Sequence, residues 1–325
     1  MEREDRTAWT APSDQDTFDP NEERNATAAS GRPRSGGTRR AGVSAVRRID
    51  AHHHLWDLAA RPQDWLAGLD PLHRDFGEPA LRAATSAAGV DGTVLVQVLP
   101  DMEETVEFLA LAGKSDLVEG VVGWVDLTAP DIAERLDRLR HGPGGDRLVG
   151  VRHLVEPEPD PRWLTRPDVL AGLRAVRDAG LVYDVLTRPH QLPSAVAAAR
   201  AVPDLVFVLD HLSKPDIAGR VLEPWAAWLD ELAALPNVVA KVSGLVTEAG
   251  PVWTVDDLRP YVDVALEVFG PSRLMVGTDW PVCLLAASYD EVLDAAWLLT
   301  DGLGTAERDQ VFGGTATRVY GLGES

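Results

Sequence analysis

The sequence predicts a single-domain α/β fold, a (β/α)8 TIM barrel behind a disordered N-terminal tail. Three observations predict it. Eight short β-branched runs alternate with eight longer stretches of helical period between about Ala45 and Leu299. The ionisable residues gather where those short runs end, the edge on which barrel enzymes build their sites. No G-x-G-x-x-G follows the first run, which weakens the competing doubly wound, dinucleotide-binding sheet.

Residues 1–44 stand apart. They are rich in Thr, Ser, Asp, Arg, Gly and Pro and poor in aliphatic residues. Such a segment buries too little apolar surface to offset its ordering entropy, so it is expected to be disordered, with the barrel domain over 45–325. The strands are expected at Ala45–Asp50, Thr93–Val98, Val118–Val125, Leu148–Arg152, Leu181–Val185, Leu205–Leu209, Val238–Val242 and Leu274–Val276. The helices are expected at Pro79–Ala88, Met102–Lys114, Asp131–Arg140, Pro167–Asp178, Gln191–Val202, Leu222–Leu235, Val255–Phe269 and Tyr289–Leu299. Several open on Pro or Asp in the first turn, and Gly180 and Gly270 fall where helix ends call for glycine.

Composition removes several functional classes. The chain carries 51 acidic against 31 basic residues, a net charge of −20. Through Arg48 the counts are 8 acidic and 9 basic, so the acidity belongs to the domain. A surface of that sign repels nucleic-acid phosphates and anionic membranes. No apolar run approaches the ~18 residues of a membrane-spanning helix. The opening MEREDRTAW lacks the apolar core of a secretory signal, and the pair Arg39-Arg40 is not followed by one, so a cytoplasmic location is expected. Cys283 is the single cysteine, which rules out an intrachain disulfide and thiolate-rich zinc sites. It reads as a small buried apolar residue, not a nucleophile. Oligomeric state has no signature in the sequence.

The first strand ends in Asp50-Ala51-His52-His53-His54-Leu55-Trp56. On an extended segment i and i+2 share a face, so His52 and His54 point together and His53 points away. Two converging imidazoles make a metal-ligand pair or a pair of polarising donors. Strand four gives Arg152-His153. Strand five ends near Asp184, with Arg188 and His190 in its loop. Strand six gives Asp210-His211, strand seven Lys241 and strand eight Asp279-Trp280. Any one of these is more often an ion-paired or solvated group than a catalyst; their joint placement at strand ends carries the signal. His73 and His141 lack such a setting and receive no role. Trp56 and Trp280, beside the candidate ligands, are expected to line the substrate pocket.

Taken in order, Ile49-Asp50-Ala51-His52-His53-His54-Leu55-Trp56, Gly150-Val151-Arg152-His153, Leu209-Asp210-His211-Leu212-Ser213-Lys214-Pro215, Lys241-Val242-Ser243-Gly244-Leu245 and Gly277-Thr278-Asp279-Trp280-Pro281 resemble the amidohydrolase-2 family, and within it the lactonase branch. The resemblance runs from about Ile49 to Leu322 and includes Phe312-Gly313-Gly314-Thr315-Ala316, similar to the family's last helix. It implies a hydrolase acting on a sugar aldonolactone or a related carboxylated lactone. His52, His54 and Asp279 would hold a divalent metal, zinc first, or act without one. Asp279 would serve as general base and His211 would assist at the developing oxyanion. Trp56, Arg152, His153, Lys241, Trp280 and His190 would contact the substrate. Family members often add a strand-five His or carboxylated Lys as a further ligand. This chain has neither there, only Asp184 and His190, so a two-metal centre is not expected. The alternatives are a metal-dependent decarboxylase of aromatic or muconate-type acids and a non-catalytic binding protein on the same scaffold. The strand four, six and seven motifs favour the lactonase.

Overall fold

A computed structural model describes residues 47–323; the expected tail over 1–44 lies outside the described residues. Eight strands form one parallel sheet in sequential order: β1 (Ile49–His53), β2 (Gly92–Val96), β3 (Val118–Gly123), β4 (Leu148–Leu154), β5 (Val182–Leu186), β6 (Phe207–Leu209), β7 (Val238–Val242) and β8 (Leu274–Val276). Every adjacent pair is parallel, so each connection is a crossover. The crossovers carry α1 (Glu78–Ala88), α2 (Met102–Ala112), α3 (Ile132–Arg140), α4 (Pro167–Asp178), α5 (Leu192–Ala201), α6 (Trp225–Ala233), α7 (Leu245–Ala249) and α8 (Val255–Phe269), with α9 (Tyr289–Leu299), α10 (Thr305–Asp309) and α11 (Thr315–Tyr320) after β8. No helix of the described residues is long and apolar enough to cross a membrane.

The strands are buried along nearly their whole length, because helices cover one face and the barrel interior the other. That is why they read as continuous β-branched runs. Two apolar clusters result. The larger packs strands against helices; the smaller fills the barrel with Val94, Val96, Val122, Val208, Val239 and Met275 and takes Tyr320 and Leu322 from the C-terminal end as a plug.

The first strand is displaced from its expected span. It begins at Ile49 and runs through His53. Sequence reading ends a strand at consecutive polar residues, but a barrel interior can bury neutral imidazoles that find partners. Between Asp50 and His53, β1 advances three residues while β2 advances two. That bulge re-aims the strand. Ile49 and Ala51 pack inside the barrel, and His52 and His54 converge above them.

The ring closes between β8 and β1. The His54 N–H donates to the Trp280 carbonyl (2.6 Å) and the Asp279 N–H to the His52 carbonyl (2.8 Å). Gly277 permits this seam: a Cβ there would lie 2.6 Å from the His52 Cβ. Asp50 pins it from the helix side, accepting from Thr278 N (2.9 Å), Thr278 Oγ1 (2.6 Å) and Tyr289 Oη (3.0 Å). Thr278 precedes Asp279, so one carboxylate fixes the strand-one histidines against the strand-eight aspartate.

Candidate active site

Three donors meet where β1 ends and β8 turns. His52 Nε2 and His54 Nε2 are 3.2 Å apart. Asp279 Oδ1 lies 3.3 Å from His54 Nε2 and 3.7 Å from His52 Nε2. His211 Nε2 stands 3.9 Å from the same oxygen. All four side chains are almost wholly buried.

Their protonation follows from their partners. His54 Nδ1 lies 2.8 Å from the Val96 carbonyl, which only accepts, so Nδ1 carries a proton and Nε2 is the nitrogen turned to the triangle. Burial drives the His52 pKa well below its ordinary value and lowers that of His211 to about 4, so both are neutral at pH 7. Burial works to raise the Asp279 pKa, but the surrounding imidazoles outweigh it and hold the carboxyl below the usual range. Neutral imidazole lone pairs with an ionised carboxylate are the donor set a divalent cation needs. Tetrahedral zinc at its usual bond lengths separates its ligands by roughly 3.4 Å, which the triangle matches. His52, His54 and Asp279 therefore form a group able to hold a metal; His52, Asp210 and His211 form another.

The supports of His52 lie deeper. Its Nδ1 sits 3.1 Å from Lys241 Nζ and 3.3 Å from Asp210 Oδ1. Lys241 Nζ also contacts Asp184 Oδ2 (2.5 Å) and Asp210 Oδ1 (3.0 Å). Arg152 Nη1 donates to Asp210 Oδ2 (2.9 Å) and lies 3.4 Å from His52 Nε2. Tyr320 on α11 donates to Asp184. Burial tends to raise the Asp210 pKa, yet Lys241, His52 and Arg152 together hold it well below the ordinary value.

His211 opens a run of unusual backbone. Residues His211, Leu212, Ser213 and Lys214 all have positive φ, at 53°, 50°, 62° and 51°. Left-handed turns cost L-residues roughly 1–2 kcal/mol each, so this one is held by its neighbours. Trp225 Nε1 donates to the Leu212 carbonyl (2.6 Å), Ser213 Oγ bonds Thr187 Oγ1 (2.8 Å), and His211 Nδ1 bonds Ser243 Oγ (2.8 Å). Gly244 makes the last contact possible: a Cβ there would come within 2.6 Å of His211 Nδ1.

Above the triangle opens a cavity of about 570 Å³. His54, His211 and Asp279 form its base, Arg152 and Lys214 its polar side, and Trp65, Val98, Leu99, Leu154 and Leu186 its apolar walls. The sequence-derived residues distribute unevenly around it. His52, His54, His211, Asp279, Arg152 and Lys241 come together, with Lys241 beneath His52 and fully buried. His153, one residue beyond Arg152, stacks on Trp163 and bonds Glu158 (2.8 Å), outside the cavity lining. Trp56 and Trp280 are buried on either side of Phe76, in edge-to-face contact with it. His190 is exposed on the loop after β5. Asp184 points to Lys241 and Tyr320, away from the triangle. Sequence reasoning did not single out Asp50, Thr278 or Trp65, and it assigned Asp210 no function.

An eight-stranded parallel barrel that gathers imidazoles and a carboxylate at its strand ends, under an open cavity, has the architecture of a TIM-barrel enzyme. Residues 49–322 match the model of the amidohydrolase family, and the chain belongs to that family. It is similar to L-fucono-1,5-lactonase of Burkholderia ambifaria, 39% identical over 280 residues that cover 84% of this chain and 95% of that protein. It is 41% identical to L-fucono-1,5-lactonase of Burkholderia multivorans over 292 residues, 85% of this chain and 97% of that protein. A crystal structure of a Burkholderia multivorans amidohydrolase with bound zinc aligns at a TM-score of 0.79 and 41% identity, covering 85% of this chain and 99% of that one.

Proposed function

We propose that the protein hydrolyses a neutral, hydroxylated lactone of the sugar aldonolactone class. The observation that carries this reading is the buried His52–His54–Asp279 triangle at the base of an open cavity, in a chain some 40% identical to two L-fucono-1,5-lactonases.

Charge pairing supports a neutral substrate. Each cation around the mouth already faces a carboxylate: Arg152 faces Asp210, Lys214 faces Glu156, and Arg188 faces Glu156 and Glu248. Asp64 and Asp279 add negative charge to the lining. A dicarboxylated lactone would meet no unpaired cation among these groups and would be repelled.

Asp279 takes a proton from the attacking water as general base, and the water oxygen adds to the lactone carbonyl. His211 stabilises the developing oxyanion: with the Ser243 hydroxyl donating to Nδ1, its Nε2–H is the donor at the cavity base. Protonated Asp279 then returns the proton to the ring oxygen as the C–O bond breaks, giving the hydroxy acid. His52, His54 and Asp279 would hold a zinc ion, whose contribution when bound is Lewis-acid polarisation of the carbonyl. Arg152, on the cavity's polar side, holds Asp210 and through it the orientation of His52.

A pH-indicator screen against aldonolactones and carboxylated pyrone lactones, with and without chelator, tests the reading. Acid release from aldonolactones is expected. Asp279→Asn should lower kcat/KM at least a hundredfold, with unchanged circular dichroism. Silence from the wild type on every lactone, with zinc supplied, overturns the reading; turnover of Asp279→Asn within a few-fold of wild type removes Asp279 as the base.

A further inference from the structure

The left-handed turn over His211–Lys214 does more than place His211. In a tight turn of about three residues, positions i and i+3 fall on the same side. His211 and Lys214 accordingly both line the cavity, while Leu212 and Ser213 are buried behind it. An extended path would put the two side chains on opposite faces. Four successive non-glycine residues in a conformation that L-amino acids avoid, held by contacts to Trp225, Thr187, Ser243 and Glu156, point to a placement on which function depends.

Lys214 differs from the other cation of the lining. Arg152 is almost fully buried and gives its guanidinium to Asp210 (2.9 Å) and the Gln97 carbonyl (2.6 Å). The Lys214 side chain keeps 20% of its surface exposed and donates to Glu156 Oε2 (2.6 Å). An ammonium has three donors. Among the described residues Glu156 is the hydrogen-bond acceptor that the Lys214 side chain meets, and Lys214 lines the cavity, so donors remain for a ligand there. Glu156 and Glu248 together balance Lys214 and Arg188, which leaves Lys214 a donor of directed hydrogen bonds, not an anion trap. Glu156 also accepts from Arg188 Nε (2.6 Å), which ties the carboxylate to the β5 loop and fixes its partner.

We propose that Lys214 is a specificity-determining residue: held by Glu156 and by the left-handed turn, it hydrogen-bonds ring hydroxyls of the substrate and selects polyhydroxylated lactones over unsubstituted ones. This rests on the lactone reading above. The apolar walls at Trp65, Val98, Leu99, Leu154 and Leu186 accept the carbon skeleton of either kind of ring, so discrimination falls to the polar side. A bound ring that covers Lys214 shuts water away from its donors, so a ring lacking the matching hydroxyl leaves a donor unpaired and is disfavoured.

The test separates recognition from turnover by using lactams, whose ring amide stands in for the hydrolysable ester. Calorimetric Kd values are measured for a polyhydroxylated δ-lactam and for δ-valerolactam with wild type, Lys214→Met and Lys214→Gln. The Met variant should weaken hydroxylated-lactam binding at least tenfold, and δ-valerolactam binding at least fivefold less than that. The Gln variant, which keeps a donor but no charge, should recover most of the loss. With the aldonolactone turned over best, Lys214→Met should raise KM more than it lowers kcat. Equal losses for both lactams, equal Met and Gln variants, or no lactam binding by the wild type would overturn the proposal. A wild type that binds the hydroxylated lactam through Lys214 yet opens no lactone would leave it standing and would remove the lactonase reading instead.

Discussion

Two ion-pair networks surround the same cavity, each built from two cations and two carboxylates. The inner one, Lys241 and Arg152 with Asp184 and Asp210, lies inside the barrel with side chains 0–3% exposed. The outer one, Arg188 and Lys214 with Glu156 and Glu248, lies on the rim with side chains 18–37% exposed. The distances are alike; the surroundings are not. Inside the barrel no water replaces a lost partner, so each charge depends on the others. On the rim water screens and substitutes, and the pairs contribute little to stability. The inner network fixes geometry; the outer network can be spent on recognition, which is where Lys214 sits.

The largest expected effect follows from removing the hub of the inner network. Lys241→Met leaves Asp184 and Asp210 without their shared ammonium. Breaking a buried pair from one side costs about 3–5 kcal/mol, which should appear as a lowered urea midpoint at pH 7. Part of the loss should return on acidification, as the stranded carboxylates take up protons. A Lys241→Met protein within about 1 kcal/mol of wild type would erase the distinction between the networks.

Glu104 sharpens the comparison, since it is a buried carboxylate bonded to no cation. On α2 it accepts from the backbone N–H groups of Val98 (2.8 Å) and Leu99 (3.0 Å), which form part of the cavity wall. Arg61 and Asp101 face it with opposing effects, and burial pushes its pKa up from 4.5 to about 7. Asp210, equally buried but flanked by Lys241 and Arg152, is driven the other way. The folded protein thus binds more protons at Glu104 than the unfolded chain between about pH 4.5 and 7. Its contribution favours folding at low pH and is lost as the pH rises through about 7. Glu104→Gln should remove that slope. The variant's stability relative to wild type should therefore rise between pH 5 and pH 8, by at most about 3 kcal/mol in urea titrations. Parallel pH profiles would show that the backbone donors alone keep Glu104 ionised.

The sequence exposed some of this order and hid the rest for definable reasons. The strands were legible because burial on both faces writes continuous apolar, largely β-branched runs, as in the Leu-Val-Phe-Val-Leu of Leu205–Leu209. The pairing of His52 with His54 was legible because it needs only two-residue alternation over one strand end. Arg152 and His153 are adjacent, and the same alternation sends Arg152 inward and His153 onto Trp163. The inner network was not legible. Lys241 meets Asp184, Asp210 and His52 across separations of up to 189 residues, and no local pattern records them. The turn over His211–Lys214 was hidden for another reason: it holds no glycine, so the usual signature of positive φ is missing, and contacts from Trp225, Thr187 and Ser243 impose it.

The smallest expected effect is also the sharpest test of the rim. Arg188 reaches Glu156 and Glu248 (3.2 Å), yet its side chain is 37% exposed. Arg188→Ala removes both contacts. Glu156 keeps Lys214 at 2.6 Å, and Glu248, whose pKa burial already raises, can take up water. The expected change in unfolding free energy is therefore below about 1 kcal/mol. Binding should respond more than stability does, because Arg188 anchors the carboxylate that holds Lys214. A modest rise in KM for a hydroxylated lactone, with the urea midpoint unmoved, is the result expected of a recognition rim. A loss of several kcal/mol would mean that Arg188 is as deeply committed to the fold as Lys241, and that exposure is the wrong measure by which to separate the two networks.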